Sequence, residues 1–145
     1  KMKEFIISKN SVGIGIRQFE EMIGSKKLVG GLSSSTYYNN AIKIMNAEIK
    51  NPHYFVFSTI NFPLFDKINF RSNVTFINND TGYKGVIENL WLMSQCNHFI
   101  IGNSSFHWWA AWLAESKNRE TKVIVSDNFP NKNTIPKRWT KIKDY

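Results

Sequence analysis

Cysteine is nearly missing from this chain. One residue of 145, Cys96, carries a thiol. That excludes an intrachain disulfide framework and a cysteine-held metal cluster, and it is in keeping with a reducing compartment. Histidine is almost as sparse: His53, His98 and His107 fall in no H-x-x-x-H or H-E-x-x-H spacing, so no metal site is expected. No apolar run approaches the roughly 20 residues that a membrane span needs. The opening KMKEFIISKN has neither a long apolar stretch nor a small-residue cleavage site, so no signal peptide is expected. Lacking an initial Met, the chain reads as a piece of something longer. Acidic residues are the other shortage: 11 Asp and Glu stand against 19 Lys and Arg, a net charge of +8. That balance favours anionic partners. The cations are scattered, however, and densest in the tail NKNTIPKRWTKIKDY. No RRM, KH or zinc-finger pattern accompanies them, so no nucleic-acid partner is expected. A merely solubilising basic surface and a functional one both fit this charge.

What is present is a globular composition, 42% apolar and 14% aromatic, of a length that suits one domain with a real core. β-branched and aromatic runs alternate with helical patterns. VGIGIRQ (12–18) places Val12, Ile14 and Ile16 at period two with glycines on the other face, a strand held tightly against something. TYYNNAIKIMNAEIK (36–50) is a predicted helix with Ser or Thr available as N-cap. HYFVFS (53–58), NVTFIN (73–78), HFIIG (98–102) and KVIVS (122–126) are predicted strands. FPLFDKI is a short helix with Pro63 in its first turn. YKGVIENLWLMSQC (83–96) is a helix whose Val86, Leu90 and Met93 share a face. SSFHWWAAWLAES (104–116) is a helix apolar nearly all round, which predicts that most of its tryptophans are core, with Trp108 the ring left open. Pro130 and Pro136 bound a loop or a short terminal element. The alternation predicts an α/β layer fold with a mostly parallel sheet and ligands at the carboxyl ends of its strands.

Two stretches carry chemistry. In HFIIGNSSFHWWAAWL, the residues Gly102, Asn103, Ser104 and Ser105 form a strand-to-helix turn. Free backbone N–H groups and the helix dipole make such a turn a phosphate site in outline. The simpler reading, which local physics favours, is that Asn103 or Ser104 is just the N-cap. In SVGIGIRQFEE, Arg17 ends its strand at the same sheet edge, where a guanidinium grips phosphate with two parallel bonds. A surface ion pair with Glu20 or Glu21 is the plainer reading of Arg17. Taken together, the turn and Arg17 form a two-part clamp.

LMSQCNHFIIGNSSFHWWAAWL resembles the hallmark of family 11 glycosyltransferases, the α-1,2-fucosyltransferases. Their pattern runs Leu-Met-Ser-x-Cys, an apolar strand, then Asn-Ser-Ser-Phe-Ser-Trp-Trp-x-Ala-Trp-Leu. SVGIGIRQFEE resembles the family's strand ending in His-x-Arg-Arg-Gly-Asp. TYYNNAIKIM is similar to its Tyr-Tyr-x-x-Ala-Ile helix, YFVFSTIN to its Phe-x-Phe-Ser-Asp-Asp strand, and IVSDNFPNKNTIPKRW to its close. The resemblance runs from about Val12 to Trp139.

The resemblance implies an inverting transferase that moves fucose from GDP-fucose to a glycan hydroxyl without a metal. It implies a GT-B fold of two Rossmann-like domains. Residues 1–145 would be the single donor-binding domain, with the N-terminal acceptor domain of the same enzyme outside this chain. By position, Arg17 would grip the diphosphate. Asn103, Ser104, Ser105 and Phe106 match the phosphate turn, and Ser58 the serine near the nucleotide. Glu88 and Asn89 match a Glu-Asp pair. The expected location is cytoplasmic, with the basic surface suited to peripheral contact at the inner membrane face. Departures stand at Gly15 for the motif histidine, Gln18 for the second arginine, Phe19-Glu20 for Gly-Asp, and Thr59-Ile60 for the acidic pair. Losing a cation that stabilises the leaving diphosphate costs rate. A GDP-binding module without turnover is therefore the alternative expectation.

Overall fold

A computed structural model of the chain describes residues 1–17, 32–58, 64–70, 73–78, 83–129 and 131–144. A short helix α1 (Met2–Ile7) leads into β1 (Ser11–Gly15). Helix α2 (Ser35–Glu48), strand β2 (His53–Ser58), a 3-10 turn at Phe65–Lys67 and strand β3 (Val74–Asn78) follow. Then come α3 (Tyr83–Met93), β4 (His98–Ile101), α4 (Ser105–Lys117) and β5 (Val123–Ser126). A second 3-10 turn at Lys132–Thr134 precedes the last strand, β6 (Thr140–Ile142). The strands form one sheet in the order β3-β2-β1-β4-β5-β6. Every neighbouring pair is parallel.

Sidedness follows from strand alternation. Val12, Ile14 and Ile16 point to one face, where Tyr38, Ala41 and Met45 of α2 cover them. Phe55, Phe57, Phe99 and Ile101 point to the other face, beneath α3 and α4. On that second face β1 presents Ser11 and then, toward its carboxyl end, only the glycines Gly13 and Gly15. A β-carbon on Gly13 would press Cys96 Sγ and Phe99 at 3.3 Å, so the missing side chains let neighbouring groups lie directly on the strand. The Cys96 thiol is buried there, and burial pushes its pKa well up, which leaves it a packing group rather than a nucleophile.

Helix α2 begins where its sequence predicts a cap. The Ser34 hydroxyl accepts from the Tyr37 N–H at 3.1 Å, and the Ser34 N–H donates to Asp144 Oδ1 at 2.9 Å. Asp144 also accepts from Ser126 Oγ at 2.9 Å. A carboxylate from the C-terminal segment thus sits at the positive end of α2. Ser34→Ala is expected to lower stability by about 1 kcal/mol, seen as a reduced urea midpoint at unchanged slope.

Several expectations are corrected. The first strand ends at Gly15, and Ile16 and Arg17 lie just beyond it. Pro63 falls outside the described residues, and only a single 3-10 turn at 65–67 stands where a short helix is predicted. Val86 does not share a core face with Met93: it is 47% exposed while Met93 is buried. Two of the three tryptophans of α4 are not core either, while Trp108 is partly buried against the core. Trp109 is 52% exposed, and Trp112 and Leu113 are also exposed. The helix instead turns Ala110, Ala111 and Ala114 to the sheet. Small residues let the helix axis come close, and the rings are left to its flanks and outer side. Trp108 is structural: its Nε1 donates to Thr134 O at 3.1 Å, and its ring stacks on Trp112. Among the described residues no helix is long and apolar enough to cross a membrane.

Candidate functional site

The chain leaves β1 for β2 on one side, and enters β4 and then β5 on the other. Strand order therefore reverses between β1 and β4, and in such sheets ligands bind outside the carboxyl ends of the strands at that point. Register pairs Gly15 with Ile101, which brings residues 16–17 level with the turn at 102–104. Both sequence stretches singled out for chemistry meet at this one place.

Each wall is fixed by a tyrosine from α2. Tyr37 Oη donates to Ile101 O at 2.5 Å, and Tyr38 Oη donates to Gly15 O at 3.0 Å. Both phenols are fully buried, and burial raises their pKa values, so they remain donors. Gly102 makes the close approach possible. A β-carbon there would come within 2.4 Å of Ser33 Oγ and 3.0 Å of Tyr38 Oη.

Ser104 is the N-cap residue of α4, with φ −145° and ψ 120°, but its hydroxyl makes no capping bond. Its carbonyl accepts from the Trp108 N–H at 3.0 Å. The N–H groups of Ser105, Phe106 and His107 therefore have no helical acceptor. A buried serine that does not spend its hydroxyl on the cap leaves the turn as a donor set for an anion. Arg17 stands at the opposite wall, partly buried. The Ile16 N–H donates to Phe57 O at 3.0 Å, so Arg17 runs alongside the end of β2, where Ser58 is buried. Phe106 is partly buried and Ser105 exposed.

Arg17, Asn103, Ser104, Ser105 and Phe106 are thus brought to one edge, with Ser58 on the adjoining strand end. Glu88 lies exposed midway along α3. Gln18, Phe19, Glu20, Thr59 and Ile60 fall outside the described residues. Among the described residues no three His, Cys, Asp or Glu side chains gather as metal ligands.

The sequence reading missed His107. Its ring is 5% exposed and lies directly over Gly15. Two departures from the family pattern were the available signal: glycine at 15 where the pattern has histidine, and histidine at 107 where it has serine. Burial, and then the Arg17 guanidinium, push the His107 pKa down to about 3. The unfolded chain binds this proton below about pH 6.5, whereas the folded chain does so only near pH 3. Stability is expected to fall as pH drops from 6.5 toward 3, by up to about 1.4 kcal/mol per unit from this group. Urea titrations of the wild type and of His107→Gln check it: the variant should lose most of that slope.

A Rossmann-like α/β domain, with hydrogen-bond donors and a guanidinium at its switch point, is the class these features define. The chain belongs to glycosyl transferase family 11, whose model matches residues 3–143. It is 29% identical, over 99% of its length, to an alpha-1,2-colitosyltransferase of Escherichia coli, of which it covers 51%. Over 48% of its length it is 33% identical to the O-antigen biosynthesis glycosyltransferase WbnK of Escherichia coli, covering 18% of that protein. The chain therefore spans about half of the longer match. No solved structure matches it.

Proposed function

We propose that this chain is the donor-binding half of a two-domain, inverting α-1,2-glycosyltransferase that uses a GDP-linked sugar. The observation that carries the proposal is the meeting of Arg17 and the open N-terminus of α4 at the switch point between β1 and β4. The family match and the 51% coverage of the colitosyltransferase support it. Fucose is the sugar that the motif resemblance suggests. Colitose is the sugar in the relative's name, so both GDP-fucose and GDP-colitose are candidate donors.

In this mechanism the acceptor hydroxyl attacks the anomeric carbon while the bond to the diphosphate oxygen breaks. Negative charge grows on the departing GDP. Arg17 and the N–H groups of α4 are placed to meet it, and they are worth more there than in water. The acceptor, and the group that takes its proton, lie on the other half. The substitutions at Gly15 and Gln18 favour binding without turnover as the second reading.

The test incubates the whole protein with each donor and a panel of glycan acceptors, and reads the product linkage by NMR. An α-1,2-linked product with stoichiometric GDP release is expected. GDP binding with no product would select the second reading. Turnover of a UDP-sugar instead would overturn both.

A further inference from the structure

The space in front of Gly15 is filled by another residue's ring. A β-carbon on Gly15 would lie 2.3 Å from Cγ and 2.4 Å from Nδ1 of His107. What it would meet is the near side of an imidazole anchored on α4, so the ring could not swing clear as the tip of a flexible chain would. Only glycine at 15 admits the ring in this place, and the two positions act as one unit. Phe106 packs edge-on against the imidazole, with ring centroids 5.6 Å apart. The ring is 5% exposed, and Nδ1 is buried with no hydrogen-bond partner among the described residues. Buried polar atoms in folded proteins are overwhelmingly paired, and an unpaired one asks what completes it.

The surroundings indicate an answer. His107 belongs to the first turn of α4, whose N–H groups lack helical acceptors. It sits over the last residue of β1, and Arg17 is close enough for its charge to disfavour a proton on the ring. An uncharged imidazole can still donate one N–H. A guanidinium, open backbone N–H groups and an imidazole N–H at one sheet edge suit an anion with several oxygens.

We infer that His107, admitted by Gly15, is a third element of the donor site, its imidazole hydrogen-bonding the diphosphate beside Arg17 and the first turn of α4. The inference rests on the donor-site reading above.

The test uses the folded chain with GDP and inorganic pyrophosphate as probes. Imidazole nitrogens are followed by NMR on ¹⁵N-histidine-labelled protein, and affinities by calorimetry. The His107 nitrogens should shift on saturation with either probe and stay put with guanosine. His107→Phe should weaken GDP binding by about tenfold or more. His107→Gln, which keeps a donor, should recover most of it. Gly15→Ala should resemble His107→Phe, because it displaces the ring. A residue that merely packs would leave the nitrogens of the wild type unmoved, and that result overturns the inference whether or not the variants fold. Wild-type GDP binding with unmoved nitrogens sinks the inference alone. A folded wild type that binds neither probe sinks the donor-site reading and the inference with it.

Discussion

Arg17→Ala is expected to lower sugar transfer by the whole protein by about two to three orders of magnitude, with little change in stability. Arg17 lies past the end of β1, only partly buried. Truncating its side chain spares the backbone bonds of the sheet, and at a partly buried position a stability change beyond about 0.5–1 kcal/mol is not expected. Its position matters for a different reason. It sits where the strand order of the described sheet reverses, facing a helix N-terminus that carries partial positive charge. The guanidinium is the full positive charge that the described residues supply to this edge from β1. Were Arg17 only a surface ion-pair partner, its removal would matter by no more than about 1 kcal/mol and transfer would be nearly unchanged. Arg17→Lys separates charge from geometry. It keeps the charge but loses the planar fork, so its rate should fall between those of the wild type and Ala. Steady-state rates of all three, beside urea titrations, check the prediction.

Glu115→Ala is expected to cost about 2–3 kcal/mol of stability. Glu115 is a buried carboxylate on α4. Arg138 grips it through Nε at 2.7 Å and Nη2 at 2.6 Å, and Trp139 Nε1 donates to both of its oxygens at 3.2 Å. Arg138 is about half exposed, and water screening keeps its share small. The larger share comes from Trp139, which is buried in the core beneath α4 and would be left with an unpaired indole N–H. Trp139 immediately precedes β6. The variant should therefore loosen the sheet edge, with a red-shifted tryptophan emission and a lower urea midpoint. Glu115→Gln keeps one acceptor and should cost less than Ala. Part of the basic tail is thus committed to holding the fold together. Arg138 also lies over the Trp112 ring, at 5.1 Å.

The central strands were legible because a parallel sheet covered on both faces demands continuous apolar runs, and HYFVFS, HFII and VIVS are such runs. Strand β6 was not, because TKI is an edge strand whose side chains are mostly exposed. Backbone bonding to β5 makes it a strand, and its pattern carries no trace of that. Helix α1 escaped notice for a similar reason: of its six residues only Ile6 is buried. In α3 and α4 the helical period was visible, but its buried side was not. The eye follows Trp and Val, whereas close packing against the sheet selects Ala110, Ala111 and Ala114. The site was half legible. Arg17 and the turn at 102–105 showed themselves because strand ends and helix starts are marked in sequence. His107 did not, because its role depends on the absence of a side chain at Gly15 on another element. The resemblance to a family supplied the sugar chemistry, which local physics could not.

The central claim is that the β1–β4 switch point holds the diphosphate of a guanosine nucleotide. Calorimetric titration of the folded chain with GDP, beside UDP and ADP, tests it most directly, repeated with Arg17→Ala. The account predicts saturable binding that favours GDP and is weakened by about ten- to a hundredfold in the variant. Binding that ignores the base, or that survives the loss of Arg17 unchanged, would contradict it.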